Sequence, residues 1–146
     1  MTALAAAFAR EYKDLEGSIV TEYPVKASAV IYQGSLVMLH TGGYATVGAD
    51  TASCKVVGWA EESVTGTASD GGAKVRVRSG CAAKMTTSST AITDMDAPLM
   101  YIVDDNTVDE TSPANSVKAG IMVHPYISTT SAWVYIPRYG VHTFGL

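Results

Sequence analysis

The chain has 146 residues, is 47% hydrophobic and 16% charged, and carries a net charge of −4. That length fits one domain, able to bury roughly 70% of its unfolded surface. The acidic balance works against general nucleic-acid binding, because phosphate backbones repel it and no basic cluster exceeds Lys74–Arg78.

The first stretch, "MTALAAAFAREYKDLEG", has no basic leader before its Ala-rich run and reads as a poor signal peptide. Leu4, Phe8, Tyr12 and Leu15 follow one another at helical spacing, so residues 1–22 are expected to form an arm, either extended or a short amphipathic helix. Short Val-, Ile-, Tyr- and Thr-rich runs then recur about every ten residues between Gly, Asp, Asn and Ser breaks. They are Ser28–Tyr32, Ser35–His40, Tyr44–Val47, Lys55–Glu61, Ala73–Ser79, Cys81–Thr86, Leu99–Asp104, Ala119–Ile127 and Ala132–Pro137. In Ala73–Ser79, Val75 and Val77 alternate with Lys74, Arg76 and Arg78, which predicts one buried and one wet face. The "TGG" at Thr41–Gly43 and "SDGG" at Ser69–Gly72 supply hairpin turns. The pattern predicts an all-β protein, a compact antiparallel barrel or sandwich over residues 23–137, with a C-terminal tail at 138–146. No run approaches the ~18–20 consecutive apolar residues of a membrane span.

The stretch "YIVDDNTVDE" places Asp104, Asp105, Asp109 and Glu110 close behind an apolar run. Such carboxylates could serve as acid and base or bind a hard cation. However, a calcium loop alternates its oxygen ligands around a central Gly, and this stretch has neither feature. Asp and Asn after a strand read as turn formers. His40, His124 and His142 are scattered without HxxxH or HxH spacing. No GxSxG elbow, GxGxxG or phosphate loop occurs. Cys54 and Cys81 lack CxxC spacing and read as buried free thiols, although the sequence leaves a single bridge between them open. Lys74, Arg76 and Arg78 form either a solvated strand face or a contact for an acidic partner. No catalytic residue, metal ligand or cofactor is expected.

Taken in order, several blocks carry a likeness. They are Tyr23–Gly48, Lys55–Val64, Gly71–Lys84, Tyr101–Val123 and Ala132–Ile136. The series is similar to the small capsid decoration, or cement, proteins of tailed bacteriophages, and the likeness covers roughly Tyr23 to Ile136. It implies an all-β body that is made in the host cytoplasm and binds the outer surface of a phage head. Its partners would be the major capsid protein and further copies of itself, as dimer or trimer, with neither nucleic acid nor membrane involved. It implies no catalysis. The first twenty-two residues and the tail lie outside these blocks.

An alternative reading is a ligand- or receptor-binding β module of a virion or tail, using aromatics among Tyr44, Trp59, Tyr126, Trp133 and Tyr135. A third is a small hydrolase built on the acids of Asp104–Glu110. Under the decoration reading the candidate contact residues are Leu4, Phe8, Tyr12, Leu15, Lys74, Arg76, Arg78, Tyr139 and Phe144. Apolar side chains at chain ends cost roughly 25 cal/mol per Å² to leave in water. At least one end is therefore expected to pack on a neighbouring subunit or the shell.

Overall fold

The alternation at Lys74–Arg78 continues past Gly80 into "CAAKMTT", so two of the expected strands are one, fourteen residues long. The computed structural model describes residues 3–87, 99–128 and 130–138. In chain order its strands are β1 (Tyr12–Pro24), β2 (Val30–Ile31), β3 (Leu36–Leu39), β4 (Ala45–Val47), β5 (Lys55–Ala60) and β6 (Val64–Thr65). They continue with β7 (Lys74–Thr87), β8 (Leu99–Ile102), β9 (Thr107–Asp109), β10 (Lys118–Ser128) and β11 (Ser131–Ile136). The protein is all-β, with no helix among the described residues.

Strand β7 pairs with β1, β5, β9 and β11. Its second half closes a mixed barrel in the ring order β7–β11–β10–β8–β9–β7, in which only the β7–β9 contact is parallel. Its first half carries β5, β3 and β4 away from that ring, while β2 and β6 form a separate ribbon. Two hydrophobic cores result. Cys81, Ala83 and Met85 of β7 enter the barrel core with Met100, Ile102, Met122 and Val134. Val75 and Val77 enter the second core with Val25, Ile31 and Val37. The strands between the cores are apolar on both faces. Leu36 and Met38 point one way and Val37 the other; Val56 and Trp59 oppose Val57 and Ala60.

The switch between cores happens at Gly80. There β7 exchanges β5, last paired at Arg78, for β11, first paired at Cys81. Residues 15–18 of β1 bulge out opposite it. Gly80 has φ +80°, and a Cβ would stand 2.8 Å from the Arg138 side chain. A side chain there would meet both backbone strain and a clash.

The N-terminal expectation needs correction. Tyr12–Pro24 is neither a helix nor a free arm but a strand bonded along β7, so the sheet begins inside the segment assigned to the arm. The helical spacing of Leu4, Phe8, Tyr12 and Leu15 rests on weak Ala propensity. It yields to the β-branched "SIVT" run and to an edge of β7 that requires a partner. Strands β6 and β9 are too short to register as periodic runs.

Two outcomes follow. Gly80→Val should lower stability by about 2 kcal/mol or more, seen as a fall in the urea midpoint. Val77→Asp, which places a carboxylate in the second core, should leave the chain unfolded by circular dichroism, whereas Arg76→Glu, on the solvent face, should fold with nearly wild-type melting.

Candidate functional site

The acidic stretch folds as the β8–β9 hairpin, and three of its four acids separate by role. The Asp104 carboxylate accepts the Asn106 amide at 2.9 Å, and that of Asp109 accepts the Thr111 amide at 2.9 Å. Both are local turn contacts of the kind short acidic side chains make. Asp105 differs. It is 2% exposed and accepts the Leu4 amide at 2.8 Å and the Ser35 hydroxyl at 2.7 Å. Its backbone carbonyl accepts the Leu36 amide at 2.7 Å.

Asp105 thus ties the first residues of the chain to the body. Arg10, 8% exposed, makes a second tie. Its Nε donates to the Gly34 carbonyl at 2.7 Å, one terminal nitrogen to the Lys84 carbonyl at 2.7 Å, and the other to Asn106 Oδ1 at 2.8 Å. Burial pushes the Arg10 guanidinium down to about 10, while the Asp105 charge pulls it back up; it remains a cation at neutral pH. Between these ties the Phe8 amide donates to the Gln33 carbonyl at 2.8 Å. A Cβ on Gly34 would lie 2.3 Å from the Phe8 carbonyl oxygen, so only glycine admits the segment this close. Residues 3–11 therefore form a strap held by polar contacts, while Phe8 stays 46% exposed with Arg10 stacked 5.3 Å from its ring centroid. A cleft of about 230 Å³ opens beside it, lined by Leu4, Phe8, Arg10, Lys84, Met85 and Ser131 among others.

The expected contact residues fall into three groups. Leu4 is half-buried in the strap, Phe8 is exposed, and Tyr12 is 41% exposed with its ring 5.5 Å from Trp59. Leu15 lies in the irregular part of β1, and Tyr139 and Phe144 lie outside the described residues. The basic stripe is already matched from within. Lys74 faces Glu22 at 3.5 Å, Arg76 faces Glu62 at 3.1 Å, and Arg78 contacts Glu61 and sits 4.8 Å from the Tyr12 ring centroid. The hydrogen bond from Arg76 holds Glu62 below the usual carboxylate range. Sequence reading overlooked these glutamates because Glu22, Glu61 and Glu62 meet the stripe only through pairing.

Other expected features also resolve. Trp59 and Trp133 are buried and offer no open aromatic platform; Tyr44 and Tyr135 are half-buried. Cys54 and Cys81 are free. Burial raises both thiols, that of Cys81 to about 12, so neither is a ready nucleophile. Among the described residues no group of three or more His, Cys, Asp or Glu is placed to hold a metal ion, and no helix is long and apolar enough to cross a membrane.

Arg10→Ala removes the donor from three acceptors at once. It should cost about 2–4 kcal/mol in urea unfolding, and hydrogen exchange should show faster loss of the Phe8 and Leu4 amide protons. Comparison with known proteins found no matching family model, no matching curated protein and no matching solved structure.

Proposed function

We propose that this chain is a structural virion protein that binds the outer surface of a tailed-phage head and stabilises it by bridging major capsid protein subunits. The observation that carries the reading is the ordered series of blocks between Tyr23 and Ile136, whose residues contribute to each strand from β2 to β11. The likeness therefore follows the framework of the molecule rather than one loop. A protein that binds only the assembled shell stabilises it by mass action. Such a role calls for a rigid body and exposed apolar anchors, and two cores sharing one long strand give the rigidity. Phe8 and Tyr12 are the exposed aromatics on the strap and the start of β1. Asp104, Asp105 and Asp109 of the β8–β9 hairpin are engaged in turn contacts and in fastening the strap, which favours a structural role for them over catalysis.

The test uses expanded heads assembled from the major capsid protein of the same genome. The full-length chain should co-sediment with them at saturating stoichiometry and raise the temperature at which they rupture. Phe8→Ala combined with Tyr12→Ala should fold normally and lower head affinity roughly tenfold, the scale of an aromatic anchor. Arg76→Glu should change it little. A folded chain that fails to sediment with such heads removes the proposal.

A further inference from the structure

Three strap residues, Leu4, Phe8 and Arg10, line the cleft of about 230 Å³, and one of them is a buried cation that no carboxylate meets. The hydrogen bonds donated by Arg10 end on the Gly34 and Lys84 carbonyls and on Asn106 Oδ1, all neutral acceptors. Among the described residues no carboxylate lies within ion-pair distance of its guanidinium. Asp105 acts on it only by its charge, since both carboxylate oxygens are taken, one by the Leu4 amide and one by the Ser35 hydroxyl. A guanidinium carries five N–H donors, so its three bonds leave two uncommitted. Lys84 adds a second cation to the lining. Its ammonium is 3.8 Å from Glu11 in an exposed pair, which holds it loosely.

The barrel wall supplies hydroxyls. Cross-strand pairing sets Ser131 beside Thr86 and Thr86 beside Thr107. Their neighbours Ala132, Met85 and Val108 enter the barrel core, so this row lies on the outward face. Ser131 and Thr86 line the cleft. Thr107, the last of the row, is fully buried, and its hydroxyl has no hydrogen-bond partner among the described residues. Buried hydroxyls are ordinarily paired, so an orphan next to a cleft-lining threonine marks an unused donor. Leu4, Phe8 and Met85 give the cleft its apolar surface. Cations, hydroxyls and apolar side chains within one small space select a ligand with an anionic end and a nonpolar body. Two cations repel a metal ion. Inorganic phosphate would leave the Phe8 ring uncovered, and a neutral hydrocarbon would leave Arg10 without a counter-charge.

We propose that this cleft is a binding site for a small organic monocarboxylate, held by the uncommitted donors of Arg10 and by Lys84, with its apolar body against Leu4 and Phe8. Such a ligand bridges the strap to β7 and β11, so its binding also fastens the strap. The inference stands independently of the capsid reading. Its test titrates the full-length chain with benzoate. Benzyl alcohol serves as the control for shape without charge, and inorganic phosphate for charge without an apolar body. Benzoate should saturate one site, raise the melting temperature and slow hydrogen exchange at the Phe8 amide, with both controls binding at least tenfold more weakly. Lys84→Gln and Phe8→Ala change partly exposed side chains, so both variants should fold, and each should weaken benzoate several-fold. Arg76→Glu, outside the cleft, should leave the affinity unchanged. No saturable binding of benzoate, equal binding of benzyl alcohol or of phosphate, or a benzoate affinity that neither Lys84→Gln nor Phe8→Ala moves would each overturn the proposal.

Discussion

One strand serves two hydrophobic cores, and the rest of the molecule is arranged around that demand. In its first half β7 presents Val75 and Val77 to the smaller core, and in its second half Cys81, Ala83 and Met85 to the barrel. A uniform strand would keep the same neighbours throughout, whereas this one releases β5 and takes up β11 within a few residues. The positive φ at Gly80 makes the exchange possible, and the bulge in β1 absorbs the resulting mismatch. Arg138 fills the notch that the missing side chain leaves, so the end of β11 is fastened at the same point.

Polar chemistry is used sparingly and locally. The buried ions, Asp105 and Arg10, both serve to fasten the strap, and between them they address five partners by directed hydrogen bonds. Directed contacts suit a segment whose apolar side chains, Phe8 above all, remain outside. At the surface the β7 cations are matched by glutamates from β1 and from the chain following β5, so this wall presents little net field. Exposed pairs of this kind contribute little to stability. Their effect is on recognition: a face neutralised from within gives an acidic partner no strong electrostatic attraction.

Much of the fold was legible in the sequence because strand signals are local. The alternation at Val75 and Val77, the turns at Gly42–Gly43 and Gly71–Gly72, and most of the strand positions needed only neighbouring residues to be read. The N-terminal strand was hidden because Leu4, Phe8, Tyr12 and Leu15 happen to repeat at helical spacing, while the pairing that makes Tyr12–Pro24 a strand joins residues some sixty positions apart. The site was hidden for the same reason. Asp105 looks like its neighbours Asp104 and Asp109 in sequence, and only the approach of Leu4 and Ser35 distinguishes an anchor from a turn residue. Glycine roles depend equally on distant contacts, since Gly34 is required by the backbone of Phe8 and Gly80 by the side chain of Arg138.

Ring closure through β7 also has a temporal side. Its first half finds β1 and β5 among residues already synthesised, so the smaller core can assemble while the ribosome is still working. The second half bonds to residues 131–136, the last of the described strands, and touches β9 in parallel. Until those residues emerge, one border of Cys81–Thr86 stands open with Met85 and its barrel partners uncovered. An open, apolar strand border is the kind of template on which nascent chains mispair. The architecture that lets one strand serve two cores therefore concentrates its hazard in the interval before residues 131–136 emerge, when one border of the second half of β7 awaits its partner.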